Sequence, residues 1–223
     1  MEDISNHNEE IKRAYLLRRA RQLAFAVLQR AREAGIPEHH LRIKKEEFVK
    51  ILSENFHKDV NAVTDYIYDQ PESIFTNSFI TIDGGDIEAR KRAGFALLFR
   101  LIACDKSGLH ENCASLVHKF QSFKSTEGLS RNDLAESLKQ PDVLFISEFK
   151  INMFNPNMES GSFFDEVLGY RSDHNMLTIV TFSEAINKDD PMARKDSAAG
   201  EYMSSLMQRY ETNGSVYRIR VKI

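Results

Sequence analysis

Tryptophan is absent from the 223 residues, cysteine occurs only twice and proline five times. Two cysteines, Cys104 and Cys113, are too few for a disulfide-stapled secreted domain, and with no second pair they make no zinc site. They read as reduced core thiols of a cytosolic protein, one in a helix and one in a strand. No stretch approaches ~18 uninterrupted apolar residues, and the opening MEDISNHNEE is acidic and polar, so the expectation is no signal peptide, no membrane span and a cytoplasmic location. The seven histidines, His7, His39, His40, His57, His110, His118 and His174, show no H-E-x-x-H spacing. Each reads as a surface or capping residue, and no metal is expected. A G-x-S-x-G elbow and a cysteine–histidine nucleophile signature are missing too.

Apolar residues make up 42% of the chain, enough to bury one core of ~150 residues and carry an appendage. The net charge of −3 leaves no overall basic footprint, so any contact with nucleic acid must be local. One such concentration lies in the first stretch. Residues 9–34 space Leu16, Ala20, Leu23, Val27, Ala31 and Ala34 for a single helical stripe, which Gly35 and Pro37 end. Between Lys12 and Arg32 this helix holds seven basic residues (Lys12, Arg13, Arg18, Arg19, Arg21, Arg30, Arg32) and no acid. A solvent face normally mixes signs, so the helix is read as a partner element, for phosphate or for an acidic protein surface. Lys45–Phe56 and Asp59–Tyr68 follow as short helices. Gln70-Pro71 breaks the pattern, dividing a helical N-terminal region, 1–71, assigned to partner binding, from a core at 72–223.

The core opens on SFITIDGGDIEARKRAGFALLFRLIACDK (Ser78–Lys106). A short apolar strand, Phe79–Ile82, runs through Gly84 and Gly85 into an apolar helix, which is the layout of a phosphate-binding loop. Against the spelling G-x-x-x-x-G-K-[ST], with Gly85 first, the second glycine falls on Arg90, the lysine on Lys91 and the hydroxyl on Arg92. The loop is therefore read as degenerate. Asp86 with Arg90 and Glu88 with Arg92 are also acid-first i,i+4 pairs, worth roughly 0.2–0.5 kcal/mol each, and a solvated helix start explains the same charges.

Further along, Cys113–His118 reads as a second strand. Ser130-Arg131-Asn132-Asp133 opens a helix that Pro141 closes, and Val143–Ile146 is an unbroken apolar strand. Ser162–Arg171 and Ala198–Tyr210 read as helices, Met176–Phe182 and Ser215–Ile223 as strands. Five strands alternating with helices predict a three-layer α/β core with a mainly parallel sheet, its ligand crevice at the carboxyl ends of the strands. In the last strand Arg218, Arg220 and Lys222 alternate with Tyr217, Ile219 and Val221. That row either tracks a phosphate backbone, as a candidate nucleic-acid contact, or guards a sheet edge.

The order PDVLFISEF (Pro141–Phe149), FFDEVLGYRSDHNMLTIVTFS (Phe163–Ser183) and YMSSLMQRY…SVYRIRV (Tyr202–Val221) resembles the AAA+ helicase loaders of the DnaC/DnaI type and their IstB-like relatives. The resemblance implies a P-loop NTPase-like (AAA+/RecA-like) core. It places Ser147 where the family has a magnesium-holding acid, leaving Glu148 of the acidic pair, with Ser183 for the sensor asparagine and Arg92 for the loop hydroxyl. It also places Arg171 and Arg209 near subunit contacts or a neighbour's nucleotide. Phosphoryl transfer rests on positioning and a bridging metal, so the implied protein is a replication accessory factor without ATPase activity or cofactor. Its implied partners are a replicative helicase or other replication protein, with single-stranded DNA and self-association as further expectations. Two other readings stay open: a divergent ATPase using Lys91 and Glu148 with ATP and magnesium, and a module that mimics a loader to inhibit its partner.

Overall fold

The computed structural model describes residues 2–41, 43–51, 67–69, 74, 78–122, 130–150, 159–182, 198–213 and 216–221. Helix α1 spans Glu2–Glu33. It stops where a left-handed residue becomes necessary: Gly35 has φ of +81°. The Ile36 amide donates to the Ala31 carbonyl at 3.0 Å and that of Gly35 to Arg32 at 2.9 Å, the paired bonds of a Schellman ending, with Ile36 and Ala31 both buried beneath it. A 3₁₀ turn, Glu38–His40, and helix α2, Lys45–Ile51, follow.

Strand β1, Phe79–Gly84, leads into α3, Ile87–Ala103, whose first turn is capped by Asp86 Oδ1 accepting from the Ala89 amide at 2.7 Å. Strand β2 is Gly108–Asn112 and helix α4 is Cys113–Ser122. The expected strand at Cys113–His118 is therefore a helix. Asn112 Oδ1 accepts from the Ala114 and Ser115 amides at 3.0 and 3.3 Å, a cap that starts α4 at the residue where an apolar run had suggested extension. The true strand, GLHEN, is polar because it lies at the sheet edge, partly buried along its whole length.

Helix α5, Arg131–Lys139, opens on a full capping box between Ser130 and Asp133. Strand β3 is Val143–Phe149, α6 Glu159–Asp173, β4 Leu177–Phe182, α7 Ala198–Asn213 and β5 Val216–Val221. The sheet order is β2-β3-β4-β1-β5, and every pairing is parallel. Alternation divides the core in two. Ile80, Ile82, Val143, Phe145, Leu177 and Ile179 face α3 and the N-terminal segment. Phe79, Leu144, Ile146, Val180 and Phe182 face α4 to α7.

The first of these clusters crosses residue 72 without a break. Ala31, Ala34, Ile36, Leu41, Ile43, Phe48, Ile67 and Ile74 pack in it with α3 and the sheet. The edge strand β2 is joined to the elbow after α1, the His110 amide donating to the Ala34 carbonyl at 2.7 Å. The change in packing falls inside α1. Residues 13–26 are all exposed, Val27 and Leu28 are half-buried and Ala31 is enclosed. Leu16 and Leu23 of the expected stripe are thus open, at 54% and 61% exposure. The second expected helix, Asp59–Tyr68, lies outside the described residues except for its last turn.

Candidate functional site

At the carboxyl end of β1 the chain turns through Gly84 and Gly85, with φ of +75° and +52°, conformations in which glycine avoids the Cβ penalty. One turn into α3, Arg90 folds back into this loop. Its side chain is 2% exposed. Nη1 donates to the carbonyls of Gly84 and Gly85, each at 2.7 Å, and Nε donates to the carbonyl of Phe182 at the end of β4, at 2.9 Å. Burial holds the guanidinium below arginine's ordinary pKa, while the negative charges of Asp86, Asp83 and Glu148 act the other way. A phosphate loop aims N–H groups at its ligand. This turn aims two carbonyl oxygens at a cation of its own chain.

Lys91 points to the next strand end. It forms ion pairs with Glu88 at 3.2 Å and with Glu148. Glu148 sits at a register irregularity between Ile146 and Phe149, in the left-handed region at φ +56°, and its amide donates to Thr181 Oγ1 at 3.1 Å. Burial pushes the carboxyl pKa up, but the Lys91 hydrogen bond and charge, with Asn112 and Lys150, leave it below the usual value. The hydrogen bond to Glu148 raises Lys91 in turn, desolvation opposing it and Glu88 adding to it. Arg92 faces Glu47 of α2 at 3.7 Å.

Ser147 is buried and its Oγ lies 2.9 Å from His110 Nε2. His110 packs T-shaped against Phe95 and tilted against Phe145 and has a hydrogen bond to the Gly35 backbone. Desolvation brings its pKa down to about 4, the Gly35 bond resisting, with Lys91 and His40 adding to the drop. His40 is buried, stacked on Phe95 with ring centroids 4.6 Å apart, and desolvation likewise takes it to about 4. His40 is thus an interior group and His110 is half-buried on the edge strand, in place of the surface or capping roles expected. Ile36 and Ile43 flank His40 at i−4 and i+3 and were a local signal for its burial, whereas the rings that cover His110, Phe95 and Phe145, come from distant segments.

The arginines assigned by resemblance lie elsewhere. Arg171 is fully buried. It donates to the carbonyls of Leu138, Pro141, Asp142 and Leu177 and to Thr178 Oγ1, at 2.6–3.3 Å. These acceptors stand at the end of α5 and the amino ends of β3 and β4, the end of the sheet opposite Gly84-Gly85, so the buried Arg171 does not face a ligand at the loop. Burial lowers it to about 10, with Tyr210 and Asp142 pulling upward. Arg209, half-exposed on α7, is paired in a fork with Asp173.

Arg218 and Arg220 belong to edge strand β5, in register with Thr81 and Asp83. Their side chains, with Lys222 and Ser183, lie outside what the structure describes. In α1, Arg30 pairs with Asp105 at 2.9 Å and Arg32 with Glu38 at 2.9 Å. Arg18, Arg19 and Arg21 are exposed, and no ion pair among the described residues holds them. Among the described residues no group of three or more His, Cys, Asp or Glu could hold a metal ion, and no helix is long and apolar enough to cross a membrane.

No protein-family model and no curated protein matches the chain. A crystal structure of DnaI does, with a TM-score of 0.51 and 14% sequence identity over 82% of this chain and 90% of that one. At that identity the likeness is one of fold. The chain has a P-loop NTPase-like α/β core with a five-stranded parallel sheet, similar to that of DnaI.

Proposed function

We propose that this protein is a DNA-replication accessory factor of helicase-loader shape that works without nucleotide hydrolysis, in the cytoplasm, with a replicative helicase as partner. The observation that carries it is the Arg90 guanidinium bonded to the Gly84 and Gly85 carbonyls. A triphosphate entering the same loop would meet two carbonyl oxygens and would have to evict a buried cation and turn two peptides. The residues for magnesium do not fit either. Arg92 replaces the loop hydroxyl, and Ser147 spends its hydroxyl on His110. Lys91 and Glu148, on which an active ATPase would depend, are engaged with each other. The DnaI-like fold supports a loader-type role, with partner contact assigned to residues 1–71 and single-stranded DNA contact to the Arg218, Arg220 and Lys222 row.

The test is paired. Calorimetric titration with ATP, with and without magnesium, should give no heat of binding, and hydrolysis should stay at background. Separately, the purified chain should form a complex with the replicative helicase on size-exclusion chromatography. Turnover that Lys91→Ala abolishes would replace this reading by the divergent ATPase. Absence of a helicase complex would remove the replication role whatever the nucleotide result.

A further inference from the structure

Helix α1 runs out from the body of the molecule. Its side chains are exposed from residue 13 to 26, Val27 and Leu28 are half-buried, and Ala31 is enclosed. The ion pairs that α1 makes among the described residues lie beyond that point, Arg30 with Asp105 and Arg32 with Glu38. The free part carries Tyr15, Leu16, Leu17, Leu23 and Phe25 at 54–64% exposure. Leu16 and Leu23 continue the line of Val27, Ala31 and Ala34 that meets the body. Positions 10, 11, 14, 17, 18 and 21, spaced by three and four, share another side of the helix. That side is centred roughly 130° round from the body line, so it is turned away from the protein's own core.

Along this outward side the residue types mirror one another about Ala14. Glu10 stands four positions before it and Arg18 four after, Ile11 three before and Leu17 three after. Two such helices laid antiparallel, Ala14 beside Ala14, therefore set acid against arginine and isoleucine against leucine. Each pairing occurs twice, because a two-fold contact brings i to j and j to i. Alanine at the axis lets the two backbones approach closely, and the antiparallel helix dipoles attract. In the same register position 2 stands opposite 26, so the pair uses the free length and ends where Val27 meets the body. A parallel pair would set Glu10 on Glu10 and Arg18 on Arg18, which like-charge repulsion opposes. A nucleic acid on this side would meet Glu10 one turn from its arginines, and a lipid surface requires a helix whose apolar and charged faces are separate.

We infer that the free part of α1 pairs with α1 of a second copy of this chain, antiparallel about Ala14, giving a two-fold dimer whose bodies stand at opposite ends of the helix pair. Positions 11 and 17 make its apolar centre, and positions 10 and 18 close that centre with opposite charges on both sides. Such a contact uses the same patch on both copies, so it stops at two chains. The inference rests on the order of residues in α1 and on where the helix leaves the body, not on the replication role.

Sedimentation equilibrium of the full chain tests it. The mass should rise with concentration to that of two chains and no further. Glu10→Arg alone and Arg18→Glu alone each set like charge against like charge twice, and each should weaken association by about tenfold or more. One chain carrying both substitutions should recover the dimer, and so should an equimolar mixture of the two single variants, because both arrangements again oppose unlike charges. Misfolding of a variant does not produce that recovery. A one-chain mass at every concentration overturns the inference, as does growth beyond two chains, a dimer indifferent to both single substitutions, or a double variant that stays dissociated. If the parent is a single chain and Arg18→Glu instead abolishes binding of a short oligo-dT strand, the helix serves nucleic acid and the inference falls.

Discussion

The guanidinium of Arg90 donates to the carbonyl oxygen of Phe182, 92 residues further along the chain, at 2.9 Å. The same side chain holds both glycine carbonyls of the β1–α3 turn. It therefore joins the carboxyl end of β1 to that of its neighbour β4, and a single charged group closes the crevice where a parallel sheet would receive a ligand.

Removing that group should be costly in stability. Hydrogen bonds to a charged partner are worth about 1.5–3 kcal/mol each, and part of that is recovered when water reaches the freed carbonyls. Arg90→Ala is expected to lower the unfolding free energy by ~2–4 kcal/mol in urea denaturation, with Arg90→Lys restoring less than half. A loss within ~0.5 kcal/mol, the range of ordinary surface substitutions, would show that the closure is not structural.

Arg171 and Arg209 should separate sharply. Arg171→Met leaves the carbonyls of Leu138, Pro141 and Leu177 buried without their donor, and a loss of ~3–5 kcal/mol is expected by the same reasoning as for broken buried charge sites. The Arg209–Asp173 pair is 43% and 46% exposed, so Arg209→Ala should cost under ~1 kcal/mol. Parallel denaturant titrations measure both, and similar losses would contradict this assignment.

The pH dependence has a defined sign. The folded pKa of His40 and of His110 is about 4, below the ordinary 6.5. Above 6.5 the unfolded chain is neutral at both positions and stability is full. As pH falls from 6.5 to 4 the unfolded state takes up protons that the folded state refuses, and stability drops, by at most ~3 kcal/mol per histidine. Glu148 is depressed below 4.5, so its contribution is present above 4.5 and fades only at lower pH. The loss between 6.5 and 4.5 is therefore attributable to the histidines. Unfolding free energies across that range should fall about half as steeply in His110→Gln, His40 supplying the rest, and an unchanged slope would count against the assignment.

Truncation should locate the boundary in α1. Deleting residues 1–26 removes side chains that are exposed wherever they are described, from residue 13 to 26, and should leave the melting temperature within a few degrees. Deleting 1–70 removes Ala31, Leu41, Phe48 and Ile67 from the cluster under α3. Burying an aliphatic or aromatic side chain is worth ~1.5–3 kcal/mol, and typical domains have only ~5–15 kcal/mol in all. The shorter chain is expected not to fold cooperatively in thermal denaturation followed by circular dichroism.

Much of the scaffold follows from local chemistry alone. Apolar runs long enough for strands buried on both faces mark β1, β3 and β4. The Ser130–Asp133 box starts α5, and Gly35 ends α1. These features act within one or two turns, so their residues carry the whole cause. Strand β2 was not legible in that way. Its residues are polar, and what makes GLHEN extended is pairing with β3 on one side and the elbow after α1 on the other.

The side-chain roles at the strand ends depend still more on distance. Lys91 attracts notice as the lysine of a phosphate loop, yet its neighbour Arg90 is the one drawn inside, by the Phe182 carbonyl far along the chain. Arg171, in a helix whose sequence suits a surface contact, is buried because four carbonyls from the α5–β3 turn and the start of β4 converge on it. Sequence by itself determined which segments are helix and strand wherever caps and apolar periodicity are local. Only the tertiary structure decided which cations face solvent and which replace a ligand, because the acceptors that hold them come together from segments tens of residues apart.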